Sequence, residues 1–330
     1  MKADRAGEAL PRRGWIVLVG LAVLIALPAL LGSYLVTVFI LVFFYGYLGQ
    51  AWNILAGYGG QLSAGHAAFL GVGAYTATLL AMHAGLSPWL GMFAGAGAAG
   101  LLGALIGALA FRFGLRGFYF VLLTVGFAEV CRIVALNTDA VGGALGLYIT
   151  FTGDPRQLQF RDNRAYYYVA LGLMVLATAV TGLVERSRLG TYLRALREDE
   201  DAAEALGVDT FRVKLLAIVL SAALTGLGGA FYANYLFSLQ PNAVFGIPLS
   251  VDIIIRPVVG GAGTIWGPLL GSLILSPLAE LSRTYFASGG LAGTHLVVYG
   301  FLLIAVVLLL PRGAYPELVR LWGRMTAKGR

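Results

Sequence analysis

Charge is the scarcest commodity in this 330-residue sequence: Asp, Glu, Lys and Arg together make up 12%. A soluble domain carries roughly 25%, so there are too few charges here to cover a water-facing surface. Cysteine is nearly absent. The single Cys131 excludes an internal disulfide framework, and the paired spacings of a zinc site are missing. The three histidines, His66, His83 and His295, form no catalytic constellation with neighbouring residues. No G-x-x-x-x-G-K-[ST] string occurs. Any ATP hydrolysis tied to this protein therefore belongs to another chain, and no cofactor is expected to bind directly. The net charge is +7, but no basic stretch is interleaved with aromatics, which argues against nucleic acid as a partner.

What is abundant is glycine, at 46 residues, within a sequence that is 59% hydrophobic and has a mean hydropathy of +0.83. Small residues let helices approach closely in lipid. The expected fold class is an all-α polytopic membrane protein. A span needs about 20 mostly apolar residues. Candidates lie near 15–32, 35–56, 63–83, 89–111, 118–137, 166–184, 213–236, 248–260, 264–283 and 292–310, which is about ten transmembrane or half-spanning helices. The first follows Arg12 and Arg13 as a signal peptide would. It lacks a clear A-x-A site after Leu31, so it is expected to be retained. The segment 248–260 is short and contains Asp252, Arg256 and Pro257. It reads as a tilted or broken helix, tolerable where it faces protein or water.

Orientation follows from the cations. Lys2, Arg5, Arg12 and Arg13 lie in an N-terminal arm (1–14), and Arg112 and Arg116 flank one turn. Arg186, Arg188, Arg194, Arg197, Arg212 and Lys214 lie in or beside the loop 185–214. Arg312, Arg320, Arg324, Lys328 and Arg330 lie in a basic tail (311–330). These are most of the 23 basic residues, and they fall on one side if both termini are cytoplasmic. Arg156, Arg161, Arg164 and Arg283 fall on the other, most of them in a long outer loop near 138–165. Residues 15–310 then form one transmembrane domain in a multi-pass inner-membrane protein, with membrane lipid as its surroundings.

The loop 185–214 is more than a connector. Arg197-Glu198-Asp199-Glu200-Asp201-Ala202-Ala203-Glu204-Ala205-Leu206-Gly207 has acids first, alanines next and a terminal glycine. Acids favour a helix N-terminus, and glycine ends a helix in the left-handed conformation. A short helix of about two turns is expected, with Ala202, Ala203 and Ala205 as a small-residue face that another protein can approach. The plainer alternative is a solvated amphipathic loop.

This string resembles the coupling motif of ABC importer permeases, with Asp201 where the general motif has Glu and without the downstream proline of its longer form. Four stretches, that string among them, make the likeness specific. Tyr45 to Phe69 (YGYLGQAWNILAGYGGQLSAGHAAF) resembles the most characteristic segment of the branched-chain amino-acid importer permeases, in the version of the longer of their two permease subunits. Arg116-Gly117-Phe118-Tyr119-Phe120 with Leu122-Leu123-Thr124, the coupling string itself, and Val259 to Pro268 (VGGAGTIWGP) are each similar to further family stretches, in the expected order. Pro311-Arg312-Gly313 also fits. Two positions depart: Arg256 stands where the family usually has an apolar residue, and Val141-Gly142-Gly143 stands where Thr-Gly-Gly is common.

The resemblance implies a transport subunit with no enzyme activity of its own. It would form half of a translocation pathway working by alternating access, for leucine, isoleucine and valine. Expected partners are a homologous second permease subunit, two cytoplasmic ATPase subunits that use ATP, and an extracytoplasmic substrate-binding protein. On this reading Glu198, Asp199, Glu200, Asp201, Ala202, Ala203 and Gly207 couple the chain to an ATPase. Permeases for urea, short amides or other amino acids remain open within the family. An ATP-independent carrier or channel remains open outside it, and a polytopic membrane enzyme is disfavoured for want of a catalytic set.

Candidate pathway residues are Gly59, Gly60, Gln61, Ser63, Gly65, His66, Asp252 and Arg256. A helix cannot run undistorted through Gly57, Gly59, Gly60 and Gly65, and broken helices expose backbone donors and acceptors to a zwitterion. The alternative is that the glycines merely end one helix and Ser63 caps the next. Asp252 and Arg256, at i and i+4, share a face and are expected to pair, either in the pathway or at a wet outer rim. Glu129 with Arg132 is expected to be structural, and Glu280 with Arg283 a rim pair. Cys131 reads as a small, buried apolar residue. Gly91-x-x-x-Gly95, Gly103-x-x-x-Gly107 and Gly267-x-x-x-Gly271 are assigned to helix packing, and Trp15, Trp52, Trp89, Trp266 and Trp322 to span ends.

Overall fold

The structure, a computed structural model, describes residues 9–286, 294–309 and 313–327. The chain forms α1 (Ala9–Leu30), α2 (Ser33–Asn53), α3 (His66–Ala84), α4 (Pro88–Arg112), α5 (Phe118–Leu136), α6 (Asn163–Arg186), α7 (Arg188–Glu198), α8 (Glu200–Ala205), α9 (Thr210–Leu236), α10 (Pro241–Val244), α11 (Ile247–Gly260), α12 (Gly267–Phe286), α13 (Thr294–Leu309) and α14 (Ala314–Ala327). Two-residue strands β1 (Leu147–Tyr148) and β2 (Ser238–Leu239) pair antiparallel and tie the 138–165 loop to the end of α9. This is an all-α polytopic membrane protein. Seven helical stretches among the described residues are long and apolar enough to cross a membrane: Ser33–Tyr58, His66–Ala84, Pro88–Arg112, Phe118–Leu136, Asn163–Arg186, Thr210–Leu236 and Pro241–Gly260. Each of the ten segments expected from hydropathy meets a helix.

The core consists of two packed groups. In the first, α3, α4 and α9 touch backbone to backbone, because glycine lies at the crossings. A Cβ on Gly73 would sit 2.1 Å from the Gly226 carbonyl oxygen, and one on Gly229 would sit 2.2 Å from the Ala74 nitrogen. Gly95 and Gly103 are equally confined, by Gly73 and Ala222, so these GxxxG pairs do serve packing. In the second group, α2 packs against α6, α11 and α12, and its aromatic rings meet those of α6 and α9. Phe43 and Tyr167 meet edge to face at 5.2 Å, and Phe44 and Phe231 lie 5.0 Å apart.

The segment 248–260, expected to be tilted or broken, is instead part of one continuous helix, and the break falls just before it. The four-residue α10 is followed by Phe245-Gly246 and the 14-residue α11. At 1.5 Å per residue α11 is about 21 Å long, short of the about 30 Å hydrocarbon core. Other expectations need correction. The loop 185–214 holds two helices, because Arg188–Glu198 has an amphipathic helical repeat that buries Leu193 and Leu196. The tail is helical over Ala314–Ala327. The helix α1 begins at Ala9, inside the range assigned to the N-terminal arm. Trp52 is fully buried and anchors no interface, since its Nε1 donates to the Ser63 carbonyl at 2.8 Å. Cys131 is only partly buried. Residues 1–8, 287–293, 310–312 and 328–330 lie outside the described residues, as do the side chains of Trp15, His295 and Trp322.

Candidate functional site

The sequence at 197–208 builds a helix with both ends closed. Asp199 leaves the helical conformation and its carboxylate accepts from the Ala202 N–H at 3.0 Å, so it is the N-cap of α8. At the other end Gly207 sits at φ +87. Its N–H donates to the Glu204 carbonyl at 2.9 Å, and that of Val208 donates to Ala203 at 3.1 Å. This is the paired Schellman closure. Nothing lies within 4 Å of where a Gly207 Cβ would be, so the glycine is required by its backbone angle alone.

One side of α8 is fastened to the bundle. Glu200 meets the Lys214 ammonium at 2.5 Å and Arg116 at 3.3 Å, and Asp201 meets Arg116 at 2.8 Å. Lys214, on the first turns of α9, is only 3% exposed and lies 5.0 Å from the Phe111 ring centroid. Its charge is therefore compensated by a carboxylate and a ring face. The hydrogen bond that Arg116 donates to Asp201, together with the nearby Glu200, pushes its guanidinium above its ordinary value. Glu200 thus faces inward while Asp201 stays exposed beside Arg116, and the expected small-residue face needs amending: Ala203 is 4% exposed. The outward face is Ala202, Glu204, Ala205 and Leu206, the last 86% exposed. Glu198 is exposed as well.

Beside α8, the last turns of α2 widen into a π-helix over Ile54–Tyr58, and the glycine-rich stretch follows. Arg197, at the end of α7, donates from Nη1 to the Gly57 carbonyl at 2.6 Å. The loop between α11 and α12 reaches the same place. The Asn53 carboxamide donates to the Thr264 carbonyl at 3.0 Å and accepts from the Gly263 N–H at 2.7 Å. Gln50 donates to the Ile265 carbonyl. Arg197 thus joins the α7–α8 elbow to the α2 π-turn, which Asn53 and Gln50 fasten in turn to the α11–α12 loop.

The other candidates in this stretch are mostly enclosed. Gly59 and Gly65 are buried, and a Cβ on Gly65 would meet the Thr124 carbonyl oxygen at 1.9 Å. Gly60 is exposed at φ +67 against Arg197. Gln61 is buried and its Oε1 has no partner among the described residues. Ser63 does not cap α3, whose N-cap is Gly65. Its hydroxyl instead faces His66 Nδ1 at 3.1 Å. His66 is fully buried, and its Nε2 lies 2.9 Å from the Ser221 hydroxyl on α9. Because Ser221 gives its own proton to the Ala51 carbonyl at 2.6 Å, it accepts from His66 Nε2–H. The histidine therefore latches the start of α3 to α9 and indirectly to α2.

Asp252 and Arg256 do pair, at 3.3 Å. The rim alternative does not fit Arg256, which is 2% exposed. Glu129 and Arg132 are bonded to each other, and Arg132 also donates to Asn242 at 2.6 Å, linking α5 to α10. Glu280 and Arg283 form no ion pair with each other within 4.0 Å, contrary to expectation. Both instead border the same cavity as Asp252 and Arg256. No metal-holding cluster occurs among the described residues.

The sequence profile described as branched-chain amino acid transport system / permease component matches residues 34–307. The chain belongs to this permease family. It is 30% identical over 326 residues to the high-affinity branched-chain amino acid transport system permease protein LivM of Escherichia coli (strain K12), covering 91% of this chain and 75% of that relative. It is 28% identical to LivM of Salmonella typhimurium, covering 90% of this chain and 73% of the relative. The high-affinity branched-chain amino acid transport system permease protein LivH of Escherichia coli (strain K12) is 32% identical over 136 residues, or 41% of this chain and 42% of LivH. The likeness is thus to the longer permease over most of its length, and to the other over a part. No solved structure matches this chain.

Sequence reasoning passed over Arg116, Lys214 and Arg197 as working residues, counting them only as positively charged loop residues. For Lys214 the signal was charge balance beside the acidic run at 198–201; Arg116 lies far upstream in sequence, and Arg197 bonds a backbone carbonyl instead. Asn53 and Gln50 were also missed, although polar amides inside an apolar span mark a helix–helix or loop contact.

Proposed function

We propose that this permease-family protein forms half of the translocation pathway of an ATP-driven importer for branched-chain amino acids. A homologous permease forms the other half, and ATP is hydrolysed by two separate cytoplasmic subunits. An extracytoplasmic binding protein delivers the substrate. On this reading both termini and the α7–α8 elbow are cytoplasmic, and the chain resides in the inner membrane with residues 15–310 as one transmembrane unit. The relatives LivM and LivH, permeases of branched-chain amino acid transport systems, supply the substrate class.

The observation that carries the reading is the two-sided character of α8. Its outward face is a capped helix with the exposed Leu206 at its tip, fitted to enter a cleft on a partner. Its inward face is welded by Glu200 to Lys214 and Arg116, with the exposed Asp201 bracing Arg116 from outside. Motion imposed on α8 then reaches α9 through Lys214, and the α2 π-turn through Arg197 and Gly57. Ser221 on α9 holds His66 at the start of α3. A rigid lever of this kind suits alternating access.

The test is co-expression with candidate ATPase subunits, followed by affinity purification and leucine uptake. ATPase should co-purify with the native chain and be lost from Leu206→Glu and Gly207→Trp, both of which should still insert in the membrane. ATPase retained by both variants would refute the docking role of α8. Leucine uptake that continues without ATP would favour a carrier.

A further inference from the structure

A cavity of about 370 Å³ lies between α2, α9, α11 and α12 and holds a combination of groups that packing does not need. Its wall includes two acids, Asp252 and Glu280, and two bases, Arg256 and Arg283. Its remaining surface is largely aromatic and aliphatic, with Phe44, Phe231 and Leu236 among the lining residues. Ionisable side chains at membrane depth are costly and mark sites. A balanced set of two and two, spread around an apolar chamber, suits a ligand that itself carries both charges.

Arg256 is the centre of this arrangement. Its guanidinium lies 3.8 Å from the Tyr45 ring centroid. Its Nη1 donates to the Asp252 carbonyl and lies 3.3 Å from the Asp252 carboxylate, and its Nε reaches the Ser276 hydroxyl at 3.4 Å. Nη2 makes no hydrogen bond among the described residues. Of the five N–H donors of a guanidinium, part of the fork is therefore free to take a carboxylate. The geometry also explains why the arginine stays put. Gly271 lets α12 approach so closely that a Cβ there would lie 1.8 Å from the Arg256 carbonyl oxygen, which pins this turn of α11 beside the chamber.

Resting on the importer reading, we infer that this cavity is a substrate site for an apolar α-amino acid in its zwitterionic form. Its carboxylate is held by Arg256, its ammonium by Asp252 or Glu280, and its side chain by the ring wall of Phe44 and Phe231. The volume lies within the usual range for small-molecule pockets, about 300–1,000 Å³. A charge-assisted bond is roughly twice as strong as a neutral one, so the charged ends set which molecules enter, and the apolar wall is permissive among leucine, isoleucine and valine.

The test is saturation-transfer NMR on the purified full chain in detergent with three probes: L-leucine, leucinamide (no carboxylate) and 4-methylpentanoate (no ammonium). The native protein should give half-saturation with leucine at a concentration about tenfold or more below either analogue, from the loss of one charged hydrogen bond. Arg256→Gln should weaken leucine about tenfold and abolish its advantage over leucinamide, while Arg256→Lys restores part of it. Ala279→Phe narrows the cavity without touching a charge and should also abolish the leucine signal, so the proposal stands or falls even if the arginine variant misfolds. No leucine signal from native protein, or a signal unchanged in Ala279→Phe, overturns the site. ATPase co-purification is read separately: its loss with leucine binding intact refutes the importer and spares the cavity, and the reverse result refutes the cavity alone.

Discussion

Glu200 and Lys214 carry the sharpest prediction. The carboxylate is mostly buried, the ammonium is 3% exposed, and they meet at 2.5 Å. Removing one member of a buried pair generally costs about 3–5 kcal/mol, because the other is left without compensation. The two ends are not equivalent here. Lys214→Met leaves Glu200 with Arg116 at 3.3 Å, so its expected cost is about 1.5–3 kcal/mol, that of one charge-assisted hydrogen bond. Glu200→Leu leaves Lys214 with only the Phe111 ring at 5.0 Å among the described residues, and its expected cost reaches the full about 3–5 kcal/mol. The double variant replaces both partners and should be less damaged than the two singles summed, with a coupling in the upper part of the about 0.5–3 kcal/mol range for contacting residues. The assay is unfolding of the four proteins by denaturing detergent, together with ATPase and uptake rates of the assembled transporter. Uptake should fall further than ATP hydrolysis in the singles, since α8 would move without carrying α9. Additivity within about 0.5 kcal/mol, or equal losses in the two singles, would refute the weld.

Further outcomes follow from single residues. Gly207→Ala should cost about 1–2 kcal/mol for the left-handed backbone alone, seen as a small drop in melting temperature with normal membrane insertion, whereas Gly207→Asn should cost less. Gly229→Val should prevent recovery of monodisperse protein, because a Cβ there meets the Ala74 nitrogen at 2.2 Å. Gly97→Ala, where nothing lies within 4 Å, should elute like the native protein. Arg197→Ala removes the bond to the Gly57 carbonyl and should reduce leucine uptake while ATPase still co-purifies. Unchanged uptake would show that this contact transmits nothing.

The sequence by itself determined the class and most of the spans, because hydrophobic runs, missing charge and basic loops are local properties that a bilayer imposes. It also located the capped helix at 199–207, since the Asp199 cap and the Gly207 closure act within one turn of themselves. The family likeness was legible for the same reason: its motifs are contiguous. Packing decided the rest. Whether Glu200 faces a partner or Lys214 depends on α9 returning beside α8, a relation between residues 14 apart with helix ends and a loop between them. His66 read as a pathway residue until Ser221, 155 positions away, enclosed it. Glu280 and Arg283 read as a pair by spacing, yet the crossing of α11 and α12 turned them toward Asp252 and Arg256. Charges in a low-dielectric interior take whichever partner the fold brings near, and that proximity is a product of helix packing that short-range patterns do not encode.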